Sequence, residues 1–389
     1  MELKKIVFIT HPLFLGSNSM PRYASWLADG MEEKGYEVQI VRPEAKFYKL
    51  PVPSSLKKWL GYIDQYLVFP KRLKQLVAGL PENTLYVLTD HALGPYAPVI
   101  KSKKHIVHCH DFLAQRSALS EIPENPTSRS GKMYQDFIKR GYVQAKNFIS
   151  ISKRTQEDLV RFMRPRTPEY ATVVYNALNQ PFYVLDKAEC RKTLSGYINV
   201  DVSNGYMLHV GGNQWYKNRV GVIKIYNSLR EQGYTLPLVL LGTTPSARLA
   251  EEYNASKYKG DIHFITNAPN DLLNKAYSGA DVFVFPSLAE GFGWPIIEAM
   301  ASGTVVATTD EAPMNEVAGN AACLLKRCPA NNKETLQWAD QSADRILSLL
   351  ASEDKRGEYV ALGMENVKRF DSLATLGKIE EIYKYIVAS

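Results

Sequence analysis

Two successive series of short apolar runs, each run separated from the next by a helix-length segment, constrain this chain more than any other feature. The first series is Lys5–Thr10, Glu37–Val41, Thr84–Leu88, His105–His110, Asn147–Ser152 and Thr172–Tyr175. The second is Tyr206–Val210, Leu236–Leu241, Asp261–Thr266, Asp281–Phe285, Thr304–Thr308 and Ala321–Leu325. Runs rich in Val and Ile that do not alternate with polar residues suit strands buried on both faces, and helical connections make such strands parallel. The pattern predicts an α/β chain with two parallel sheets, each covered by helices on both sides. Its 389 residues suffice for two domains at roughly 100–200 residues each. The expected division is 1–180, 181–370 and a C-terminal helix over 371–389 that packs back on the first domain. The polar stretch Asn179–Asn204 reads as the linker.

Local signals support this outline. Pro21 marks a helix start, Tyr23, Leu27 and Met31 line one face of that helix, and Gly35 ends it. Further helices are expected over Glu334–Ala351, Lys355–Phe370 and Leu373–Ile386. Lys4 and Lys5 ahead of Ile6–Ile9 imitate a secretion signal, but His11 and Pro12 interrupt the run and no small-residue cleavage site follows, so a buried strand is the better reading. No stretch reaches the roughly 18 apolar residues needed to span a bilayer, and a cytoplasmic protein is expected. The cysteines, Cys109, Cys190, Cys323 and Cys328, form no CxxC pair and join no His cluster, so reduced thiols and no metal site are expected. The net charge of +7 suits anionic small molecules or an anionic membrane surface. No RNA-recognition or zinc-finger signature points to nucleic acid.

The stretch richest in chemistry is Phe285–Gly303, FPSLAEGFGWPIIEAMASG. Gly291 and Gly293 allow close backbone approach to a ligand. Pro295 opens a short helix, Ile296–Ala301, whose free N–H groups and dipole suit an anion. Glu298, one turn in, can accept two hydrogen bonds from a vicinal diol such as a ribose, and Glu290 can reach sugar hydroxyls. Read alone, the glycines could equally shape a turn and Glu298 steady a helix start. Read alone, His110, on the same strand face as His108, suits a buried core histidine, and nothing supports zinc at His105, His108 and His110.

As a whole, Glu290 and Glu298 enclosing Gly-Phe-Gly and Pro, before Glu-Ala-Met-Ala-Ser-Gly, resemble the retaining GT-B glycosyltransferases of the family-4 type, glycosyl transferases group 1. Leu272–Asp281 looks like the family's preceding helix, and Asn315–Gly319 like its Pro-Glu-Val-x-Gly loop with Asn315 in place of Pro. Val210-Gly211-Gly212 followed by Lys217-Asn218 resembles its phosphate loop. In the first half, Ile149–Leu159, Val174-Tyr175-Asn176 and His110-Asp111 carry a weaker likeness, and Gly16-Ser17-Asn18-Ser19 stands where a Gly-Gly pair is common.

The resemblance implies two Rossmann-like domains facing across a cleft, the first binding the acceptor and the second a nucleotide-diphosphate sugar as co-substrate. It implies retention of anomeric configuration, no metal and no further cofactor, and a saccharide or lipid-linked saccharide acceptor, as in polysaccharide biosynthesis. Glu298 would hold the ribose, and Glu290 with the backbone of Gly291, Phe292 and Gly293 the donor sugar. Lys217, with the N–H groups of Gly211, Gly212 and Asn213, would neutralise the pyrophosphate. The arginine usual near Gly212 or Asn213 is missing, and Arg219 is the candidate substitute. Gly16 and Asn267 complete the expected donor contacts. Glu290, His110 and Lys217 are the expected catalytic groups.

The rival readings are a sugar-nucleotide epimerase and a non-catalytic sugar-nucleotide-binding relative. A nicotinamide-dependent dehydrogenase is disfavoured, because Ile296 occupies the third glycine position after Gly291-x-Gly293. One further segment stands out. Glu44–Leu80 carries Lys46, Lys49, Lys57, Lys58, Lys71, Arg72 and Lys74 against Glu44 and Asp64, interleaved with aromatic residues. It suits peripheral attachment to the inner face of a membrane, or a solvated helix whose aromatics belong to the core.

Overall fold

The apolar runs become the strands of a parallel sheet, the middle ones buried on both faces and two at its edges. In the first series they are β1 (Lys5–Ile9), β2 (Glu37–Val41), β3 (Thr84–Leu88), β4 (His105–Cys109), β5 (Asn147–Ser150) and β6 (Tyr170–Val173). All pairings are parallel, in the order β2-β1-β3-β4-β5-β6. Every residue of β3 and β4 is buried, and β2 and β6 lie at the edges. The computed structural model describes residues 2–16, 19–178 and 180–389. The chain divides into two units, Met1–Asn179 with Ser372–Ser389, and Gln180–Asp371. Ser17 and Asn18 of the expected first-strand loop, and Asn179 of the expected linker, lie outside the described residues.

The C-terminal helix Ser372–Ala388 joins the first unit by burying Leu376, Ile379, Tyr383, Ile386 and Val387. Leu376 occupies the space that a side chain at Gly30 would need, 2.6 Å from the position of its Cβ. The Tyr383 hydroxyl meets His108 Nε2 at 2.8 Å, and the Tyr23 hydroxyl meets Nδ1 at 2.8 Å. One phenol donates and the other accepts, so both nitrogens of a neutral imidazole are satisfied inside the core. Burial pushes that imidazole down to about 3. His105 bonds Lys103 O and the Lys146 N–H. These two histidines are thus structural.

The segment after β2 folds into a turn, Phe47–Lys49, and the helices Ser54–Ile63 and Phe69–Ala78, joined by a π-helical turn. Asp64 is buried and accepts the backbone N–H groups of Lys46, Phe47 and Tyr48 at 2.9–3.0 Å. Phe14 packs on Tyr48, with ring centroids 4.7 Å apart, which sets the loop after β1 against this segment.

The second unit repeats the architecture with β7 (Met207–Gly211), β8 (Leu238–Gly242), β9 (Ile262–Thr266), β10 (Val282–Phe285), β11 (Val306–Thr309) and β12 (Ala322–Leu325). Their order is β12-β11-β10-β7-β8-β9. Nearly half of the stretch read as the linker, Lys187–Ile198, is a helix. Asp186 caps it by accepting the Glu189 N–H at 2.8 Å, and Cys190 and Leu194, one turn apart, are buried. Arg191 ties it to Asp281 at 2.7 Å. The polar surface of this helix masks a short apolar stripe. The remaining helices include Asn332–Leu350 and Glu353–Val367.

All four cysteines are buried and none forms a disulfide. Among the described residues no helix is long and apolar enough to cross a membrane.

Candidate active site

In an open parallel sheet the connections leave to opposite faces where the strand order reverses, opening a crevice at the carboxyl ends of the two strands concerned. In the second unit that point lies between β7 and β10, and the two richest loops of the sequence follow these strands. After β7, Gly211 leads into the turn Trp215–Lys217. Asn218 takes a left-handed conformation, φ 49°, and caps the helix Arg219–Glu231 by accepting the Gly221 N–H at 3.2 Å. Asn218 also donates to Pro286 O at 3.1 Å, and the Leu288 N–H donates to Tyr216 O at 2.7 Å. These bonds join the loop after β7 to the loop after β10.

Lys217 Nζ consequently reaches Glu290 Oε1 at 2.8 Å, and the Ser287 hydroxyl donates to the same oxygen at 2.8 Å. The two side chains are only 14% and 9% exposed. The ammonium also lies 4.8 Å from the Phe285 ring centroid. Gly293, at φ 111°, opens the helix Trp294–Ala301. Glu298 on that helix accepts from the Tyr277 hydroxyl at 2.9 Å. Burial pushes its carboxyl up to about 7, against the pull of the Tyr277 hydrogen bond and of Lys217.

Arg219 is buried, at 5% exposure. Its Nη1 donates to Asn213 Oδ1 at 2.7 Å and Thr243 O at 3.0 Å. Its Nε and Nη2 are buried without a partner among the described residues. No carboxylate pairs with it there, and burial pushes the guanidinium down to about 10. Asn213 steadies it by donating to Thr244 O at 2.6 Å.

His209, on β7, is a residue that the sequence reading did not single out. Its ring lies beneath Gly211, donates through Nδ1 to Val284 O at 2.9 Å, and leaves Nε2 buried without a partner among the described residues. Burial pushes it down to about 3, and the nearby charges of Arg219 and Lys217 act in the same direction. No local signal marks a histidine within an apolar strand as lying below a loop.

Phe292 buries its ring against Phe370, centroids 5.6 Å apart. Asn267 follows β9 in a left-handed conformation, φ 56°. In the first unit, Gly16 ends the turn Leu13–Leu15 at φ 73°. His110 follows β4, donates from Nε2 to Thr89 O at 3.0 Å, and leaves Nδ1 buried without a hydrogen-bond partner among the described residues. The Tyr23 ring stands edge-on to it at 4.5 Å.

Residues 195–361 match the family described as glycosyl transferases group 1. An O-antigen chain mannosyltransferase of Escherichia coli is 27% identical over 382 residues, which cover 94% of this chain and 96% of the relative. These matches make the chain similar to the group 1 glycosyltransferases. Its fold is GT-B: a sucrose-phosphate synthase from Thermosynechococcus elongatus superposes with TM-score 0.75 at 18% identity, covering 99% of each chain. The Anabaena protein HepE, solved with UDP and glucose, superposes with TM-score 0.69 at 16% identity over 97% of this chain and 99% of its own. For a glycosyltransferase the position of Lys217, Glu290, Glu298 and Arg219 at one switch point has a direct chemical reading.

Proposed function

We propose that this glycosyltransferase moves a hexosyl group from a nucleoside diphosphate sugar to a saccharide or lipid-linked saccharide, with retention at the anomeric carbon and without a metal ion. The observation that carries the proposal is the cationic character of the second unit's switch point. Lys217 stands there with the buried Arg219, two of whose N–H groups have no partner among the described residues. A buried cation without a counter-ion is costly, and a pyrophosphate would supply both the charge and the acceptors. In the reaction the bond between C1 and the phosphate oxygen breaks and the acceptor oxygen bonds to C1 from the same face. The acceptor proton passes to the departing phosphate. Lys217 and Arg219 stabilise the charge that develops on the leaving group, Glu290 holds the donor sugar and Glu298 the ribose.

The name of the Escherichia coli relative makes GDP-mannose the first donor to test, and HepE's UDP makes UDP-glucose the second. Incubation with alkyl glycosides, after dialysis against chelator, should yield a product whose anomeric configuration matches that of the donor. Transfer that stops with chelator and returns with magnesium, or an inverted product, would overturn those parts of the reading. A pH dependence follows from Glu298. Its carboxyl is held up to about 7, so the ionised form that accepts both ribose hydroxyls predominates only above that pH. One pH unit corresponds to about a tenfold change in protonation balance. Nucleoside diphosphate affinity measured by calorimetry should therefore fall by up to about tenfold from pH 8 to pH 6. Glu298→Gln should flatten the dependence, and the same slope in that variant would assign it to another group.

The basic segment of the first unit is proposed to lie on an anionic membrane. Leu56, Trp59 and Leu67 expose 49%, 60% and 61% of their surface beside the exposed Lys58, Lys71, Arg72 and Lys74. Leu13 and Leu15 add exposed apolar surface from the loop that packs on Tyr48 through Phe14. Each basic residue near such a surface contributes about 1 kcal/mol. Sedimentation with anionic liposomes should be strong at low salt and should weaken with salt and on replacement of Lys58, Lys71 and Arg72 by Ser. Equal binding to neutral liposomes would point to the apolar residues alone.

A further inference from the structure

The first sheet has a switch point of its own. With the order β2-β1-β3-β4-β5-β6, the direction reverses between β1 and β3, and the crevice opens at their carboxyl ends. Three neighbouring strands deliver ionisable side chains to that edge. His11 follows β1, Asp90 and His91 follow β3, and His110 follows β4. His11 Nε2 lies 2.9 Å from Asp90 Oδ2. Asp90 Oδ1 accepts the Ala92 N–H at 3.2 Å and lies 2.9 Å from His91 Nδ1. Asp90 is only 8% exposed. Burial alone would raise its carboxyl, but His91 and His11 outweigh that and hold it well below the usual carboxylate range. The anchor is therefore an anion that accepts the Nε2 proton of His11.

With Nε2 donating to Asp90, Nδ1 is the ring nitrogen of His11 left to accept, and it has no hydrogen-bond partner among the described residues. His11 retains 21% side-chain exposure. His110 repeats the arrangement, with Nε2 on Thr89 O and Nδ1 without a partner. The edge therefore offers two imidazole nitrogens that need donors, beside a carboxylate that repels anions. A neutral polyol fits these requirements and a phosphate does not.

We propose that His11 binds a hydroxyl group of the sugar acceptor through Nδ1, and that Asp90 is the positioning residue that fixes its tautomer and orientation. This rests on the glycosyltransferase reading with the acceptor on the first unit. His11→Gln keeps an amide donor for Asp90 but removes the ring acceptor. Asp90→Asn keeps the size and the cap on Ala92 but lets the side-chain amide donate to Nε2, which drives the imidazole proton to Nδ1 and turns the acceptor into a donor.

The experiment is steady-state transfer from GDP-mannose and UDP-glucose to octyl mannoside, octyl glucoside and octyl galactoside, with nucleoside diphosphate affinity measured separately by calorimetry. In both variants KM for the best octyl glycoside should rise about tenfold, while donor KM and nucleotide affinity stay within twofold of wild type. In nitrogen-15 spectra the His11 Nδ1 resonance of the wild type should shift when the octyl glycoside is added. Unchanged acceptor KM, or acceptor and donor constants that worsen together, overturns the assignment. A wild type that binds neither GDP nor UDP instead overturns the underlying reading, and does so without either variant.

Discussion

Replacing Lys217 by alanine is expected to lower kcat/KM for the donor by about 10²–10³-fold, the scale of losing one preorganised stabiliser of developing charge. The magnitude follows from where the ammonium sits. It is 14% exposed, held at 2.8 Å from Glu290 and close enough to Glu298 to pull that carboxyl down. A charge fixed in a poorly hydrated place acts on a departing phosphate with little reorganisation. The substitution also leaves Glu290, among the described residues, with only the Ser287 hydroxyl, so a stability loss of about 1–3 kcal/mol should accompany it. Activity and stability can be separated: Lys217→Ala with Glu290→Gln should regain most of the melting temperature and none of the activity. A Lys217→Ala enzyme within threefold of wild-type kcat/KM would remove the lysine from the mechanism.

Arg219→Met should change stability and function in opposite directions. Isolated charge is a burden on the unliganded fold, as the drop of the guanidinium to about 10 by burial shows. Exchanging buried ionic groups for apolar ones of similar size is often neutral or stabilising by about 1–4 kcal/mol. Near 200 residues, each kcal/mol moves Tm by about 2–4 °C. The expected result is an unliganded Tm equal to or several degrees above wild type, with nucleoside diphosphate affinity reduced about ten- to hundredfold, the weight of a charge-assisted hydrogen bond. Differential scanning calorimetry and titration calorimetry on the same preparations decide it. A lower Tm with unchanged affinity would make Arg219 a strut between Asn213 and Thr243 and nothing more.

Both residues were nameable in advance, but for different reasons. Lys217 is legible through the likeness of Val210-Gly211-Gly212 and Lys217-Asn218 to the family's phosphate loop. Arg219 was singled out because no arginine occurs near Asn213, and only the structure shows that Asn213 and Arg219 bond to each other. The helix Lys187–Ile198 was hidden for a simpler reason. Its apolar stripe is only Cys190 and Leu194, too short for periodicity to rise above a polar background, although Asp186 followed by Glu189 is a capping signal. Phe292, expected to contribute its backbone to a ligand, proved to have its ring packed on Phe370, a contact that only the packing of a distant segment creates.

The sequence by itself determined the two parallel α/β layers, because burial on both faces of a strand needs only a local run of apolar residues. It also carries the family resemblance, through Glu290, Gly291 and Gly293 in the loop after β10 and Glu298 in the helix that follows. Tertiary structure alone decided the pairs. His11 meets Asp90 across 79 positions, Lys217 meets Glu290 across 73, and His108 meets Tyr383 across 275. No local pattern encodes such distances. Sheet order does, by setting β1 beside β3 and β7 beside β10, and so the reversal of strand order chose which charged side chains would share a crevice.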